Sequence, residues 1–267
     1  GFQFTSCEVG KGLLNKTTSA ERLVKHSLWL FGAEASSKII GLATQIIAAR
    51  YLGDKGYGNF SMAFALSGVL IVFLDAGLSI YICKQVSRYP GKANQYLKSV
   101  FGLKKILALP VVGSLICLAL FMPGDSEVQV VVGAIGLALL LNGFTDMYLA
   151  VFRASGWMSL VCALLIFQRA LFFTLGFVSL LLGYHVVPFS ILFLVVSVLS
   201  LILARWSMQK RSEEKVALID WELSKTILKD SLPVCGIFLF SYVYFRMDVV
   251  FVYFLVGDAE TGWYNAA

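Results

Sequence analysis

Seven stretches of this chain are each long and apolar enough to cross a bilayer, and no other property restricts its fold as severely. A helix needs ~20 predominantly apolar residues to cross ~30 Å of hydrocarbon. Hydrocarbon offers the backbone no hydrogen-bond partner, so only helices or a closed β-barrel can span it. The stretches are Ser27 to Ala49, Phe60 to Cys83, Ile106 to Met122, Val128 to Phe152, Trp157 to Tyr184, Val186 to Ala204 and Leu232 to Gly257. None alternates with the period of a barrel strand, so helices are predicted throughout. Of the 267 residues 58% are hydrophobic and 14% charged, against ~25% charged in soluble domains. That leaves too few polar side chains to cover a water-facing surface. A soluble enzyme, a disordered chain and a secreted disulfide scaffold are excluded, and an all-α polytopic membrane protein is expected.

The net charge of +6 is read through its position relative to the membrane, not as a nucleic-acid footprint. Lys11, Lys16, Arg22 and Lys25 precede the first span. Lys84, Arg88, Lys92, Lys98, Lys104 and Lys105 lie between the second span and the start of the third, and Arg153 follows the fourth. Arg205, Lys210, Arg211, Lys215, Lys225 and Lys229 follow the sixth. The opposite side holds only Arg50 and Lys55. Cytoplasmic loops carry the excess of Lys and Arg, which predicts a cytoplasmic N-terminus in the plasma membrane. Cys7, Cys83, Cys117, Cys162 and Cys235 show no CxxC spacing, and His26 and His185 stand far apart. No metal site and no cofactor are expected. Residues 1–20 lack an apolar run and read as a tail, not a signal peptide.

The chain repeats itself at an offset of 204. Leu-Val-Lys-His-Ser-Leu at 23–28 recurs as Ile-Leu-Lys-Asp-Ser-Leu at 227–232; Gly53-Asp54 recurs as Gly257-Asp258, and Gly58 as Gly262. Phe60 pairs likewise with Tyr264, and Ala63 with Ala267. An even number of helices separates the copies, so they share an orientation, as in a parallel repeat about an axis along the membrane normal. The expected organisation is a tail at 1–20, a six-helix lobe at 21–206, a linker at 207–231 and the first helix of a second lobe at 232–267. Ile219, Trp221, Leu223, Ile227 and Leu228 sit between charges in the linker, which suggests an amphipathic surface helix. The chain stops within the second copy, so about five further helices are expected in the natural protein. Three glycines around Asp54 suit a tight turn with positive φ, and the recurrence at Gly257 favours an architectural role.

Ala49-Arg50-Tyr51-Leu52-Gly53-Asp54-Lys55-Gly56-Tyr57-Gly58 resembles the loop after the first helix of polysaccharide flippases of the O-antigen and teichoic-acid export type. These belong to the multidrug/oligosaccharidyl-lipid/polysaccharide transporter superfamily. Phe245-Arg246-Met247-Asp248-Val249-Val250 through Leu255-Val256-Gly257-Asp258 is similar to its seventh-helix signature, and Phe152-Arg153-Ala154 more weakly to its fourth-helix exit. The resemblance covers about residues 20–267. It implies two six-helix lobes around a central cavity, and alternating-access transfer of an undecaprenyl-pyrophosphate-linked oligosaccharide between leaflets.

Ionisable groups inside spans are functional candidates, since each costs ~2.5–3.5 kcal/mol at mid-membrane on insertion scales. By position, Lys38, Arg169 and Arg246 fall near the midplane, and Glu34, Asp75 and Asp146 nearer the cytoplasmic side. Guanidinium groups bind pyrophosphate oxygens in a bidentate manner, so Arg246 and Arg169, assisted by Lys38, are the candidate headgroup site. Glu34, Asp75, Asp146 and Asp248 are candidates for a coupling proton or sodium ion. Structural readings compete with each. Glu34 and Lys38 have the i,i+4 order of an intrahelical pair. Arg169 can pair with Asp146 or Asp75, Asp75 can cap the turn after Ala76-Gly77, and Asn142 with Asp146 can serve helix packing. Arg246 and Asp248, two residues apart, point to different sides of their helix.

A lipid-linked oligosaccharide flippase is the leading expectation, with the lipid and the bilayer as partners. A cation-coupled exporter of small amphiphiles with the same lobes is the alternative; it predicts a negative cavity where the flippase predicts a positive one. An enzyme is not expected, because the outer loops are too short for a catalytic domain.

Overall fold

A computed structural model describes residues 6–89, 93–122, 126–210 and 221–266, and side chains from Phe31 onwards. Among the described residues the protein is all helix, in the order α1 (Ser6–Asp75), α2 (Leu78–Arg88), α3 (Ala93–Phe121), α4 (Ser126–Ala154), α5 (Met158–Leu181), α6 (Val186–Gln209), α7 (Trp221–Leu255) and α8 (Asp258–Ala266). Six helical segments are long and apolar enough to cross a membrane. The chain is an all-α, multi-pass membrane protein.

The first of those segments, Phe31–Arg88 with 58 residues, would be about 87 Å long as one straight helix, nearly three bilayer cores. It is not straight. Gly53 leaves helical geometry at φ 70°, ψ 175°, and the two arms of α1 fold back on each other. Gly41, Thr44 and Ala48 before the kink line the same cavity as Tyr57, Ser61 and Phe64 after it; on an unbroken helix Gly41 and Phe64 would stand about 35 Å apart. The first predicted span therefore lies in the first arm of α1, and the second begins in its second arm. A positive φ costs little at glycine because it has no Cβ. Gly257, its counterpart in the repeat, also has positive φ (144°) and separates α7 from α8.

Three boundaries differ from expectation. Residues 6–20, read as a tail, begin α1. The second span is interrupted at Ala76 (φ 45°) and Gly77 (φ 75°), two successive left-handed residues that end α1 and reset the chain as α2. The linker does not form a separate surface helix over its last part: Trp221 onwards is continuous with the seventh span despite Pro233, and residues 211–220 lie outside the described set.

Helix α4 packs against α1, α2, α3, α5 and α6. Lipid tails are as apolar as leucine, so these contacts are held by close packing and hydrogen bonds, not by escape from water. Val131, Val132, Ile135, Ala138, Met147 and Phe152 of α4 are fully or almost fully buried. Two buried serines within the sixth span bond their own helix, Ser190 to the Val186 carbonyl and Ser197 to that of Phe193 (both 2.8 Å). The amides of Gln168 and Asn142 meet between α5 and α4 at 2.7 Å, the packing role that sequence offered for Asn142.

The recurrent segments touch reciprocally. A Cβ added to Gly58 would lie 1.9 Å from the Asp258 carbonyl oxygen, and one added to Gly262 would lie 2.2 Å from that of Asp54. Gly58 and Gly262 are related by the 204-residue offset, and so are Asp54 and Asp258. Residue i touching j while j's counterpart touches i's is the contact pattern of a two-fold axis. Ser61 and Asn265, also 204 apart, share a hydrogen bond of 2.8 Å.

Candidate functional site

Beside this crossing of α1 and α8 lies a cavity of ≈ 80 Å³. Its wall is aromatic: Phe60, Phe64, Phe172, Phe189 and Phe193 come from α1, α5 and α6. Their rings interlock, with centroids 5.0 Å apart for Phe172–Phe193, 5.1 Å for Phe172–Phe189 and 5.4 Å for Phe60–Phe189. Offset and edge contacts of this kind hold rings in fixed positions. Against the wall stand a few polar groups. The Asn265 amide donates to Ser61 Oγ at 2.8 Å and to the Tyr57 hydroxyl at 3.3 Å. Arg169 from α5 and Arg246 from α7 supply the charge, and among the described residues no acidic side chain lines this cavity.

A second cavity, ≈ 480 Å³, runs between α1, α4 and α7 and shares Phe64 and Arg246 with the first. It carries the carboxylates of Asp75 and Asp146. The partition between the two is close-packed: the Tyr242 hydroxyl donates to the Phe64 carbonyl at 3.2 Å, and a Cβ on Gly68 would fall 1.7 Å from that hydroxyl.

The structure brings together Arg169 and Arg246, which sequence placed at the midplane, and joins neither to an acidic partner among the described ion pairs. Lys38 is exposed, one turn before Gly41, and does not line the cavity. Glu34 meets Arg153 of α4 at 3.7 Å and not Lys38. Arg246 and Asp248 do face different ways: Asp248 is exposed and accepts a hydrogen bond from the Tyr264 hydroxyl at 2.7 Å.

Asp75 does not cap α2 through the backbone. Its Oδ1 accepts from Ser79 Oγ and from Lys104 Nζ, the latter at 2.8 Å. The Lys104 side chain is 0% exposed. Sequence reading counted Lys104 only among the charges at the start of the third span. Helix α3 in fact begins at Ala93, so Lys104 enters the bundle three turns along and delivers a buried ammonium to the α1–α2 break. Among the described residues no cluster of three or more His, Cys, Asp or Glu is arranged to hold a metal ion.

Fold and site together define a multi-pass helical bundle with a cation-lined cavity between its helices. The family model described as polysaccharide biosynthesis protein matches residues 23–267, and the chain belongs to that family. A solved structure, described only as protein A, aligns with a TM-score of 0.65 at 16% identity. The alignment covers 92% of this chain and 59% of that one, so this chain spans less than two thirds of the matched protein; at that identity the likeness speaks for the fold alone. No match was found among curated proteins.

Proposed function

We propose that the protein moves a pyrophosphate-linked lipid oligosaccharide between the leaflets of the cytoplasmic membrane by alternating access, with its N-terminus cytoplasmic. It performs no covalent chemistry. The observation that carries the reading is the sign of the first cavity: Arg169 and Arg246 face it and, among the described residues, no carboxylate does. Guanidinium groups with no acidic partner among the described residues are costly in a bundle, and an anionic headgroup repays that cost through bidentate hydrogen bonds. An exporter of cationic amphiphiles needs the opposite sign in the same place. A whole oligosaccharide is too large for a cavity of ≈ 80 Å³, so the walls part during the cycle. The reciprocal contacts of Gly58 and Gly262 support two like-oriented lobes, one over 21–206 and a second starting near 232, joined through 207–231.

The test is surface polysaccharide display in a strain lacking the native protein and carrying Arg246→Ala or Arg246→Lys. Arg246→Ala at normal membrane abundance abolishes display, and Arg246→Lys, which keeps charge but not the planar fork, restores only part of it. Full display with Arg246→Ala would remove the headgroup role from this residue.

A further inference from the structure

Among the described residues, α1 and α8 are joined by two side-chain hydrogen bonds, and Asn265 makes both. Its amide donates to Ser61 Oγ at 2.8 Å and to the Tyr57 hydroxyl at 3.3 Å. Ser61 and Asn265 occupy equivalent positions of the repeat, and a contact between equivalent positions lies on the two-fold axis itself. It parts whenever the segments on either side of that axis swing away from each other. The repeat keeps its glycines here and not its polar side chains. Ser61 faces an asparagine, and the equivalent of Tyr57 is Thr261, whose hydroxyl turns back to the Gly257 carbonyl at 2.6 Å. The clasp is therefore one-sided: its donors come from α8 and its acceptors from α1.

Tyr57, Ser61 and Asn265 all line the ≈ 80 Å³ cavity together with Arg169 and Arg246. Tyr57 and Ser61 are only 3% and 4% exposed, so a ligand meets them from the cavity. A hydrogen bond to an ionised acceptor is roughly twice as strong as one between neutral groups. An anionic oxygen drawn in by two guanidinium groups thus outcompetes two neutral hydroxyls for the Asn265 amide. The phenylalanine wall has no such exchange to make, because an anion replaces none of its ring contacts.

We propose that Asn265 is a binding residue for the anionic headgroup and that its capture by the anion undoes the clasp, so that the cargo itself releases the crossing of α1 and α8. This rests on the reading of the first cavity as an anion site. With the cavity empty, the amide is satisfied by α1 and the crossing stays shut. With an anion present, the amide turns to it and the two segments lose the hydrogen bonds that joined them. The two ends of the bond then respond with opposite sign. Ser61→Ala removes a competitor for the amide and tightens anion binding; Asn265→Ala removes the donor and weakens it.

The probe is a short-chain, water-soluble pyrophosphate diester carrying one sugar, and its affinity is measured by calorimetry on the full-length protein in lipid nanodiscs. Ser61→Ala binds about fivefold more tightly than wild type and Asn265→Ala about tenfold more weakly, the sizes of one neutral and one charge-assisted hydrogen bond. Spin labels on cysteines placed at the exposed Tyr184 and Trp263, in an otherwise cysteine-free protein, report the crossing by pulsed electron paramagnetic resonance. The probe shifts the wild-type distances to longer values, and Asn265→Ala shows the longer distances without it. Affinities that move in the same direction for both variants, or do not move, overturn the clasp and leave the anion site standing; so do label distances that ignore a probe that binds. Binding that is absent, or indifferent to Arg169→Ala and Arg246→Ala, overturns the anion site itself and the clasp with it.

Discussion

Removing either member of the Lys104–Asp75 pair destabilises the bundle, and the two removals differ in size for a reason visible in the structure. At 2.8 Å the gross attraction is about 6 kcal/mol at an effective dielectric constant of ~20. Desolvating a lysine and a carboxylate consumes most of that, so the intact pair contributes little net stability. Its absence is another matter. Asp75→Asn leaves an ammonium whose side chain is 0% exposed, a loss of about 3–5 kcal/mol for an uncompensated buried charge. Lys104→Met leaves a carboxylate that is 27% exposed and borders the ≈ 480 Å³ cavity, where water reaches it, so the loss falls to about 1–3 kcal/mol. The double variant replaces both charges and lies within about 1 kcal/mol of wild type. The assay is the unfolding midpoint of the four proteins in mixed micelles titrated with dodecyl sulfate. Equal losses for the two single variants would refute the role assigned to exposure. A double variant as unstable as the sum of the singles would refute the pairing.

Other outcomes follow from packing. Gly58→Ala and Gly262→Ala each drive a Cβ into a carbonyl of the opposite segment and lower stability by at least the ~1–3 kcal/mol of an overpacked core. Gly133→Ala, with nothing within 4 Å of the added Cβ, is neutral or gains up to ~1 kcal/mol from helix propensity; the same micelle titration reads all three. Gln168→Leu removes the amide contact to Asn142 at a loss of about 0.6 kcal/mol, the average for hydrogen bonds between membrane helices, and no more than ~1.7 kcal/mol.

Much of this molecule is legible in its sequence, because a bilayer leaves few options for a 20-residue apolar run. The helical, multi-pass class follows from the spans alone. The repeat at 204 residues foreshadowed the glycine turns at 53 and 257, and it paired the segments that carry Ser61 and Asn265, although nothing local says that those two side chains meet. The opposed directions of Arg246 and Asp248 are a consequence of helical period. Less legible were contacts decided between helices. The i,i+4 spacing of Glu34 and Lys38 is weak, worth ~0.2–0.5 kcal/mol, and Glu34 sits with Arg153 instead. Lys104 was hidden by its neighbours: beside Lys105 it resembles a flanking charge, and only the earlier start of α3 and the break at Ala76-Gly77 turn it inwards. Lys38, central by position, lies on an exposed face, since counting along a span gives depth and not direction.

The central claim is that an anionic headgroup meets Arg169 and Arg246 inside the bundle. It is tested most directly by reconstituting the full-length protein in liposomes with a fluorescent lipid-pyrophosphate oligosaccharide and following its passage to the opposite leaflet. The account predicts protein-dependent transfer that is lost with Arg169→Ala or Arg246→Ala and is not supported for a lipid whose sugar lacks the pyrophosphate. Transfer that continues undiminished in the double variant, or that serves the uncharged lipid equally well, contradicts it.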